Sequence, residues 1–347
     1  MTTADPSPLR LGFPVKVLGN PDLKSNDARR WQSGPHLRVS LGYLREIFDH
    51  LEKHGLRMYR MSSDLAPYAT HPDLPQFHGQ IRECDADLQD LGRIARERDI
   101  RLSFHPSQYV ILNSPDPKLT AKSVADLVAQ AEILDRMGMG PEAVLVIHVG
   151  GTYGDPASGR RRWAETFPTL PEPVRRRLVL ENDDIRYGAA DVLAIHEATG
   201  VRLIFDHQHH WCLNPGGLDL RETLAKFLAT WPEGVRPKVH YSSPRTEFRE
   251  IKRKDRKTGK MATVLLPPIW TGHADFVNPF EFVTFLRLAG DLAFDVMFEA
   301  KAKDLALLRA RRDLLRFAPE IAPRFGLVGI PDDAPDEEIV EGAAAED

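Results

Sequence analysis

Short apolar runs rich in Val, Ile and Leu recur along this chain and alternate with segments of helical periodicity. Such runs, separated by helix-sized segments, indicate buried strands of a parallel sheet. The predicted strands cover residues 9–15, 56–61, 101–105, 143–149, 177–182, 201–206, 236–241 and 293–299. The predicted helices cover residues 40–54, 79–98, 119–137, 188–198, 218–230, 279–289 and 302–316, with a further helical region after residue 149.

This alternation of eight strands with helices predicts an α/β fold, a (β/α)8 TIM barrel in a single domain. We expect the barrel domain to cover residues 1–320 and residues 321–347 to form an acidic, flexible tail. The segment 242–277 is predicted to be the longest irregular stretch. Neither an internal repeat nor a dividing linker is visible in the sequence.

Histidines and carboxylates stand at the ends of most predicted strands. Six close a strand and three lie in adjoining loops: His105, His148, Glu181, Asp206, His240 and Glu299, then His71, His209 and His273. Strand carboxyl ends converge on one mouth of a parallel barrel, where active sites are found. Any one histidine could simply hydrogen-bond locally, but burying a whole series of unpaired polar ends would be costly. The pattern therefore predicts a polynuclear metal site at the mouth.

The residue types narrow the metal and its chemistry. Imidazole with carboxylate suits Zn²⁺, Mn²⁺ and Fe²⁺, and the lack of thiolate argues against a structural zinc site. Neighbouring ions activate water and clamp the attacking and leaving oxygens, as phosphodiester hydrolysis requires. We expect Glu181 to bridge two ions, and the D-x-x-H step of Asp206 and His209 to serve one ion.

Lysines near these positions add three candidates. Lys238 precedes His240 by two residues on the same strand, so both side chains point to the same side. A lysine inside the mouth must be paired, deprotonated or modified; a carbamylated Lys238 and a salt bridge to Glu181 or Glu299 are both open. Lys301 and Lys303 could contact phosphate or lie in solvent.

The net charge and the cysteine content do not select a function, but they indicate the environment in which the protein works. The formal charge is −4, and it becomes +4 without the eight acidic side chains of residues 331–347. A mildly basic body is compatible with a polyanionic partner without demonstrating one. Two cysteines give no disulfide framework, and neither a signal peptide nor a membrane span is evident. We expect a soluble, cytoplasmic monomer.

The loop after His105 carries an amide beside an aromatic, Gln108 and Tyr109. Such a pair can fill the gap left when bases are pushed out of a duplex. A tyrosine packed within its own loop is the alternative.

Six ordered motifs closely resemble those of the UV damage endonucleases: FHPSQYV…NSPDP, VIHVGGTYGD, LVLENDD, FDHQHHWCLNP, PKVHYSS and VMFEAKAKD. That family consists of metal-dependent TIM-barrel DNA repair enzymes related to the endonuclease IV type of abasic-site nuclease. The resemblance spans about residues 9–316. It implies incision of duplex DNA immediately 5′ to a cyclobutane pyrimidine dimer or 6-4 photoproduct, leaving a 3′-hydroxyl and a 5′-phosphate.

The resemblance also assigns roles to individual residues. The family's metal ligands match all nine candidates above, so the implied cofactor is a divalent cluster of two or three ions, with Mn²⁺ preferred and Zn²⁺ or Mg²⁺ as alternatives. Its catalytic positions match Glu181, Lys238 and Glu299, and its lesion-probing pair matches Gln108 and Tyr109.

The chain departs from the family pattern near its start. Gly12-Phe13-Pro14 replaces a frequent Gly-Tyr-Pro, and Val17 stands where the family often has asparagine. We expect Phe13 to stack on the damaged bases without the phenolic hydroxyl. The basic stretch 245–260 looks like an insertion after the seventh strand, either contacting DNA phosphates or forming a disordered hairpin.

Other functions stay open from the sequence alone. An abasic-site endonuclease and a sugar isomerase of the xylose isomerase type share the barrel superfamily. A non-catalytic damage-binding protein would have lost several ligands, whereas the full set is present here.

Overall fold

A computed structural model describes residues 7–255 and 258–328 of the chain. The strands are β1 (Leu11–Pro14), β2 (Met58–Arg60), β3 (Arg101–Phe104), β4 (Val144–His148), β5 (Leu178–Glu181), β6 (Arg202–Asp206), β7 (Lys238–Tyr241), β8 (Arg249–Lys254), β9 (Met261–Leu266) and β10 (Asp295–Phe298). Eight of them close into a parallel barrel in the order β1-β10-β7-β6-β5-β4-β3-β2, which confirms the predicted (β/α)8 fold.

Helices follow the barrel strands and cover the outside of the barrel. They are α1 (Leu37–Lys53), α2 (Gln80–Glu83), α3 (Asp85–Glu97), α4 (Pro117–Arg136), α5 (Pro156–Thr166), α6 (Glu172–Arg175), α7 (Ala189–Thr199), α8 (His207–Cys212), α9 (Leu220–Leu228), α10 (Pro279–Ala289) and α11 (Lys303–Phe317). No helix within the described ranges has the length and apolar character needed to cross a bilayer.

The structure differs from the prediction in three places. The helix expected over residues 79–98 is interrupted at Cys84 and becomes α2 and α3. The short helix α8 follows β6 directly, because the Asp206 side chain caps it by accepting a hydrogen bond from the backbone N–H of His209 at 2.7 Å. The segment 242–277, expected to be irregular, contains β8 and β9, which pair as an antiparallel hairpin.

The two faces of the barrel strands contact different layers. The outward side chains and the helices form the main apolar core, which includes Phe13, Tyr59, Phe104 and Phe205. Inside the barrel, Val144, Val146, Val179 and Ile204 form a separate apolar cluster with Trp231. At the amino-terminal end of the barrel, the guanidinium of buried Arg101 lies 2.8 Å from the carboxylate of buried Asp295. The amino-terminal end is therefore closed by this buried ion pair, and the carboxyl-terminal end carries the candidate metal ligands.

The segment after α11 packs against the barrel. The backbone N–H of Leu9 donates to the carbonyl of Arg324 at 2.8 Å, and Phe325 and Leu327 are buried. The first residues of the predicted tail, up to Leu327, are thus packed on the barrel. Residues 329–347, which include the acidic stretch, lie outside the described residues.

Candidate metal centre

Parallel strand pairing brings the predicted ligands to one level of the barrel. His148 of β4 is in register with Glu181 of β5, and Asp206 of β6 is in register with His240 of β7. Glu181, Asp206 and His240 are completely buried. A cavity of about 370 Å³ adjoins them and is lined by His105, His148, His209, His273 and Glu299, among others.

Glu181 lies at the centre of the cluster, with each carboxylate oxygen facing two histidines. Oε2 is 3.2 Å from Nε2 of His105 and 3.7 Å from Nε2 of His148. Oε1 is 2.9 Å from Nδ1 of His240 and 3.6 Å from Nδ1 of His209. A carboxylate placed between two pairs of imidazoles could serve ions on both sides.

The ligand atoms form two groups that share Glu181. One group contains His105, His148 and Glu181, and the other contains Glu181, Asp206, His240 and Glu299; within each group the atoms lie within 4.8 Å of one another. His273 and His209 lie beside the second group, with Nε2 of His273 3.8 Å from Oε2 of Glu299 and Nδ1 of His209 3.6 Å from Oε1 of Glu181. The structure thus brings eight of the nine predicted ligands together.

The free atoms and protonation states of the cluster fit a bound cation. Oδ2 of Asp206 is buried and has no hydrogen-bond partner within the described part of the chain, so it is available to a cation. Burial, together with the nearby charges of Glu181 and Glu299, raises the pKa of Asp206 to about 7. Burial lowers the pKa values of His240 and His273 to about 4, so both imidazoles are neutral, as metal ligation requires. The donor set therefore fits divalent metal ions.

Neighbouring residues hydrogen-bond to the candidate ligands and support them. The sequence pattern did not single out these supporting residues. Asn182 bonds the backbone of Asp206 in both directions, and its carbonyl lies 2.9 Å from Nδ1 of His209. Ser242 contacts both Gln208 and Nδ1 of His273. Such partners fix the orientation of metal-binding side chains. Their signal in the sequence was only adjacency to a ligand.

Two basic residues lie near the candidate ligands. Arg60 of β2, which the sequence did not suggest, is ion-paired with Glu299. Lys238 is completely buried, and its Nζ donates to Oγ of Ser103 at 3.2 Å. Within the described ranges, no ion pair joins Lys238 to Glu181 or Glu299, the partners considered from the sequence. Burial and the charges of Arg101 and Arg60 hold the pKa of Lys238 well below its usual range.

His71 is the predicted ligand that the structure leaves apart. Its side chain is exposed on the loop after β2, with the ring beside Tyr68 at a centroid distance of 6.1 Å. Among the described residues, no hydrogen bond, ion pair or ring contact joins it to the other eight candidates. It lines a second cavity, of about 430 Å³, which shares Pro106, Ser107 and Val110 with the first.

The predicted lesion-binding residues have very different environments. Tyr109 is 80% exposed, and Gln108 beside it is exposed and lines the cavity at the cluster. Phe13 is completely buried, with its ring centroid 5.4 Å from that of Tyr59. Strand alternation directs Phe13 into the helix layer rather than toward the mouth, so the expected stacking on a damaged base has no exposed ring to support it.

Comparisons with known proteins agree on one family. A family profile described as UV-endonuclease UvdE matches residues 38–324. A UV DNA damage endonuclease of Bacillus velezensis is 36% identical over 266 residues, covering 75% of this chain and 76% of that protein. One of Bacillus cereus (strain G9842) is 31% identical over 280 residues, covering 79% and 80%. The crystal structure of SacUVDE superposes with a TM-score of 0.72 at 30% identity, covering 89% of this chain and 98% of that one.

Proposed function

The chain belongs to the UV-endonuclease UvdE family of UV-damage DNA repair endonucleases, and we propose that it incises duplex DNA immediately 5′ to UV photoproducts. The substrates would be cyclobutane pyrimidine dimers and 6-4 photoproducts, and the products a 3′-hydroxyl and a 5′-phosphate. The proposal includes a cytoplasmic monomer that works without a covalent intermediate.

The observation that carries the proposal is the position of Glu181 between four histidines. We assign the nine candidates as ligands of two or three divalent ions, with Mn²⁺ preferred and Zn²⁺ or Mg²⁺ as alternatives. When bound, such ions supply the Lewis acidity that makes water nucleophilic at neutral pH and offsets charge on a phosphodiester. His71 has this role from the family resemblance alone, since its ring lies beside Tyr68 in the structure.

The chain's own groups prepare the site for an anionic substrate. Arg60 offsets the charge of Glu299, and Lys301 and Lys303 follow Glu299 at the start of α11, where they can meet a phosphate. Burial and the charges of Arg101 and Arg60 lower the pKa of Lys238, which favours the uncharged amine that carbamylation by carbon dioxide requires. We therefore propose Lys238, with Glu181 and Glu299, as a group that acts in the reaction.

Lesion recognition is assigned to Gln108 and Tyr109. The exposed phenol ring of Tyr109 can stack on bases, and the adjacent amide can hydrogen-bond to them. A photoproduct stacks and pairs poorly, so opening the duplex there costs less than at a normal step. The pair would occupy the gap, which favours the damaged duplex.

Incision assays can separate this function from the related ones. The metal-free protein is supplied with Mn²⁺, Zn²⁺ or Mg²⁺ and given three duplexes, which carry a single photoproduct, an abasic site or no damage. We expect cleavage mainly of the photoproduct duplex, at the bond 5′ to the lesion, with end groups identified by mass spectrometry. Preferential cleavage of the abasic duplex would favour the abasic-site nuclease, and the absence of cleavage with every metal would refute the endonuclease proposal.

A further inference from the structure

The hairpin of β8 and β9 leaves the barrel at the edge of the metal centre. Its root is fixed: the backbone N–H of Arg245 donates to the carbonyl of Gly272 at 2.8 Å, and Pro244 forms a bridge with His273. Buried Gln208 donates from its side chain to the carbonyls of Trp270 and Gly272 at 3.2 and 3.1 Å. One end of the hairpin is therefore held by residues next to the candidate ligands His209 and His273.

The two faces of the hairpin differ in burial. On the inner face, Ile251, Val264 and Leu266 are half-buried. The outer face is exposed and consists of three cross-strand pairs: Glu250 with Leu265, Lys252 with Thr263, and Lys254 with Met261. Met261 and Leu265 are 63% and 56% exposed. The two strands pair only with each other in the described chain. An isolated two-stranded sheet is marginally stable in water, so a partner on this face would stabilise it.

The basic charge of the hairpin favours a polyanion as its partner. Residues 245–260 contain eight basic and three acidic side chains. Lys252 and Lys254 lie on the outer face, and neither forms an ion pair within residues 7–255 and 258–328. Their ammonium groups are free to meet the phosphates of a polyanion, and on the same face they are paired with Thr263 and Met261 of the other strand.

We infer that the β8–β9 hairpin, here called the arm, binds duplex DNA through its outer face and contacts the DNA backbone beside the incision site. This inference rests on the proposed function and extends it to the undamaged DNA on one side of the lesion. A six-residue ladder is about 20 Å long. Phosphates of one strand advance about 3.4 Å along the helix axis, so an arm lying along that axis spans roughly six of them. Phosphate contacts of this kind set register and affinity without reading sequence.

The test compares two double variants that lose the same charge. Lys252→Ala/Lys254→Ala removes the outer-face lysines of the arm. Lys53→Ala/Lys226→Ala is the matched control: both of its lysines are exposed near the carboxyl ends of α1 and α9, at the opposite end of the barrel. Binding to a 30-base-pair duplex, with and without one photoproduct, is measured by fluorescence anisotropy in chelator over a range of salt concentrations.

We expect the arm variant to reduce the slope of log K against log[salt] by about two, because each lost phosphate contact accounts for about 0.9. Affinity at 150 mM salt should fall roughly tenfold, on damaged and undamaged duplex alike. The single-turnover incision rate at saturating duplex should stay within about twofold of wild type. Lys252→Arg/Lys254→Arg should restore the slope, and the control variant should match wild type.

Two results would refute the proposal that the hairpin binds duplex DNA. One is an arm variant whose slope and affinity equal those of the control. The other is sedimentation showing a wild-type dimer that becomes a monomer in the arm variant, since the outer face would then join two copies of the chain. Failure of the proposed function gives a different result, because the wild-type protein would then bind duplex DNA without incising the photoproduct. The difference in salt slope between the wild type and the arm variant would still test whether the hairpin binds DNA.

Discussion

Asn182 is joined to Asp206 by two hydrogen bonds, one donated by its Nδ2 to the carbonyl oxygen of Asp206 at 3.0 Å and one accepted by its Oδ1 from the Asp206 N–H at 2.9 Å. Both residues are completely buried. The pair fixes the end of β6 at the point where the Asp206 carboxylate enters the cluster. Asn182 thus determines the position of a candidate ligand without being one.

Asn182→Ala should therefore weaken metal binding rather than remove it. Loss of such supporting contacts lowers metal affinity by about 10- to 100-fold. Calorimetric titration of the metal-free protein with Mn²⁺ measures the change directly. Asn182→Asp keeps the acceptor and loses the donor, so its affinity should fall between those of wild type and Asn182→Ala. An unchanged affinity in a folded Asn182→Ala protein would show that Asp206 is held by other contacts or is not a ligand.

Replacing Glu181 tests the centre of the site. Glu181→Ala should lower incision by roughly a thousandfold or more, because several kcal/mol of charge stabilisation depend on the ions it holds. Binding of a photoproduct duplex should persist, since the exposed Gln108 and Tyr109 are untouched. Rate is measured in single-turnover assays with saturating metal, and binding by anisotropy. Full incision by Glu181→Ala under those conditions would refute the bridging role, and Glu181→Gln separates loss of charge from loss of volume.

Tyr109→Ala should reduce the preference for damaged DNA. Stacking of one base on an aromatic side chain contributes about 1–3 kcal/mol, so the ratio of affinities for damaged and intact duplex should fall by roughly 5- to 150-fold. Tyr109→Phe keeps the ring and should retain most of the preference. If Tyr109→Ala discriminates as well as wild type, Tyr109 does not probe the lesion.

The sequence predicted the barrel and most of the site because both depend on strand order. A polar residue that closes an apolar strand must lie at the mouth once the strands are parallel, so His148, Glu181, Asp206 and His240 could be placed together without side-chain detail. His71 belongs to no strand. Its position depends on the fold of a loop, which strand order does not determine.

Phe13 and the hairpin show two other limits of the sequence. Alternation tells which residues share a face of β1, but not which face lines the mouth; packing against Tyr59 decides it. In β8 and β9 the exposed face carries lysines beside Met261 and Leu265, so neither strand has a clean apolar alternation. Pairing at a distance along the chain, rather than local pattern, defines those strands.

Substitutions at the amino-terminal end of the barrel, opposite the metal centre, should change the stability of the protein and leave its incision chemistry unchanged. Asp295 is completely buried and accepts from Arg101 at 2.8 Å and from Arg10 at 3.2 Å. Asp295→Asn leaves Arg101 with an uncompensated buried charge, and breaking such a pair costs about 3–5 kcal/mol. Urea unfolding gives the loss, and the incision rate per folded molecule should be unchanged.

A matched substitution tests whether burial is the cause. Asp291 is 90% exposed in its side chain and pairs with Arg221 at 3.2 Å, so Asp291→Asn should cost less than about 1 kcal/mol. Equal losses from the two substitutions would mean that the buried pair contributes no more than a surface one.

Metal removal should destabilise the protein because two buried carboxylates, Glu181 and Asp206, and the partly buried Glu299 lie in one cluster. A ligand that binds only the folded state at 100 times its Kd stabilises it by about 2.7 kcal/mol, which for a chain of this size raises Tm by roughly 3–5 °C. Scanning calorimetry in chelator and then with Mn²⁺ measures this shift. Glu181→Gln should abolish most of it, because both ligand groups contain Glu181. Glu142→Gln, which alters a contact with Arg10 at the amino-terminal end of the barrel, should keep the full shift. If Glu181→Gln responds to Mn²⁺ as strongly as Glu142→Gln, the ions that stabilise the fold bind elsewhere.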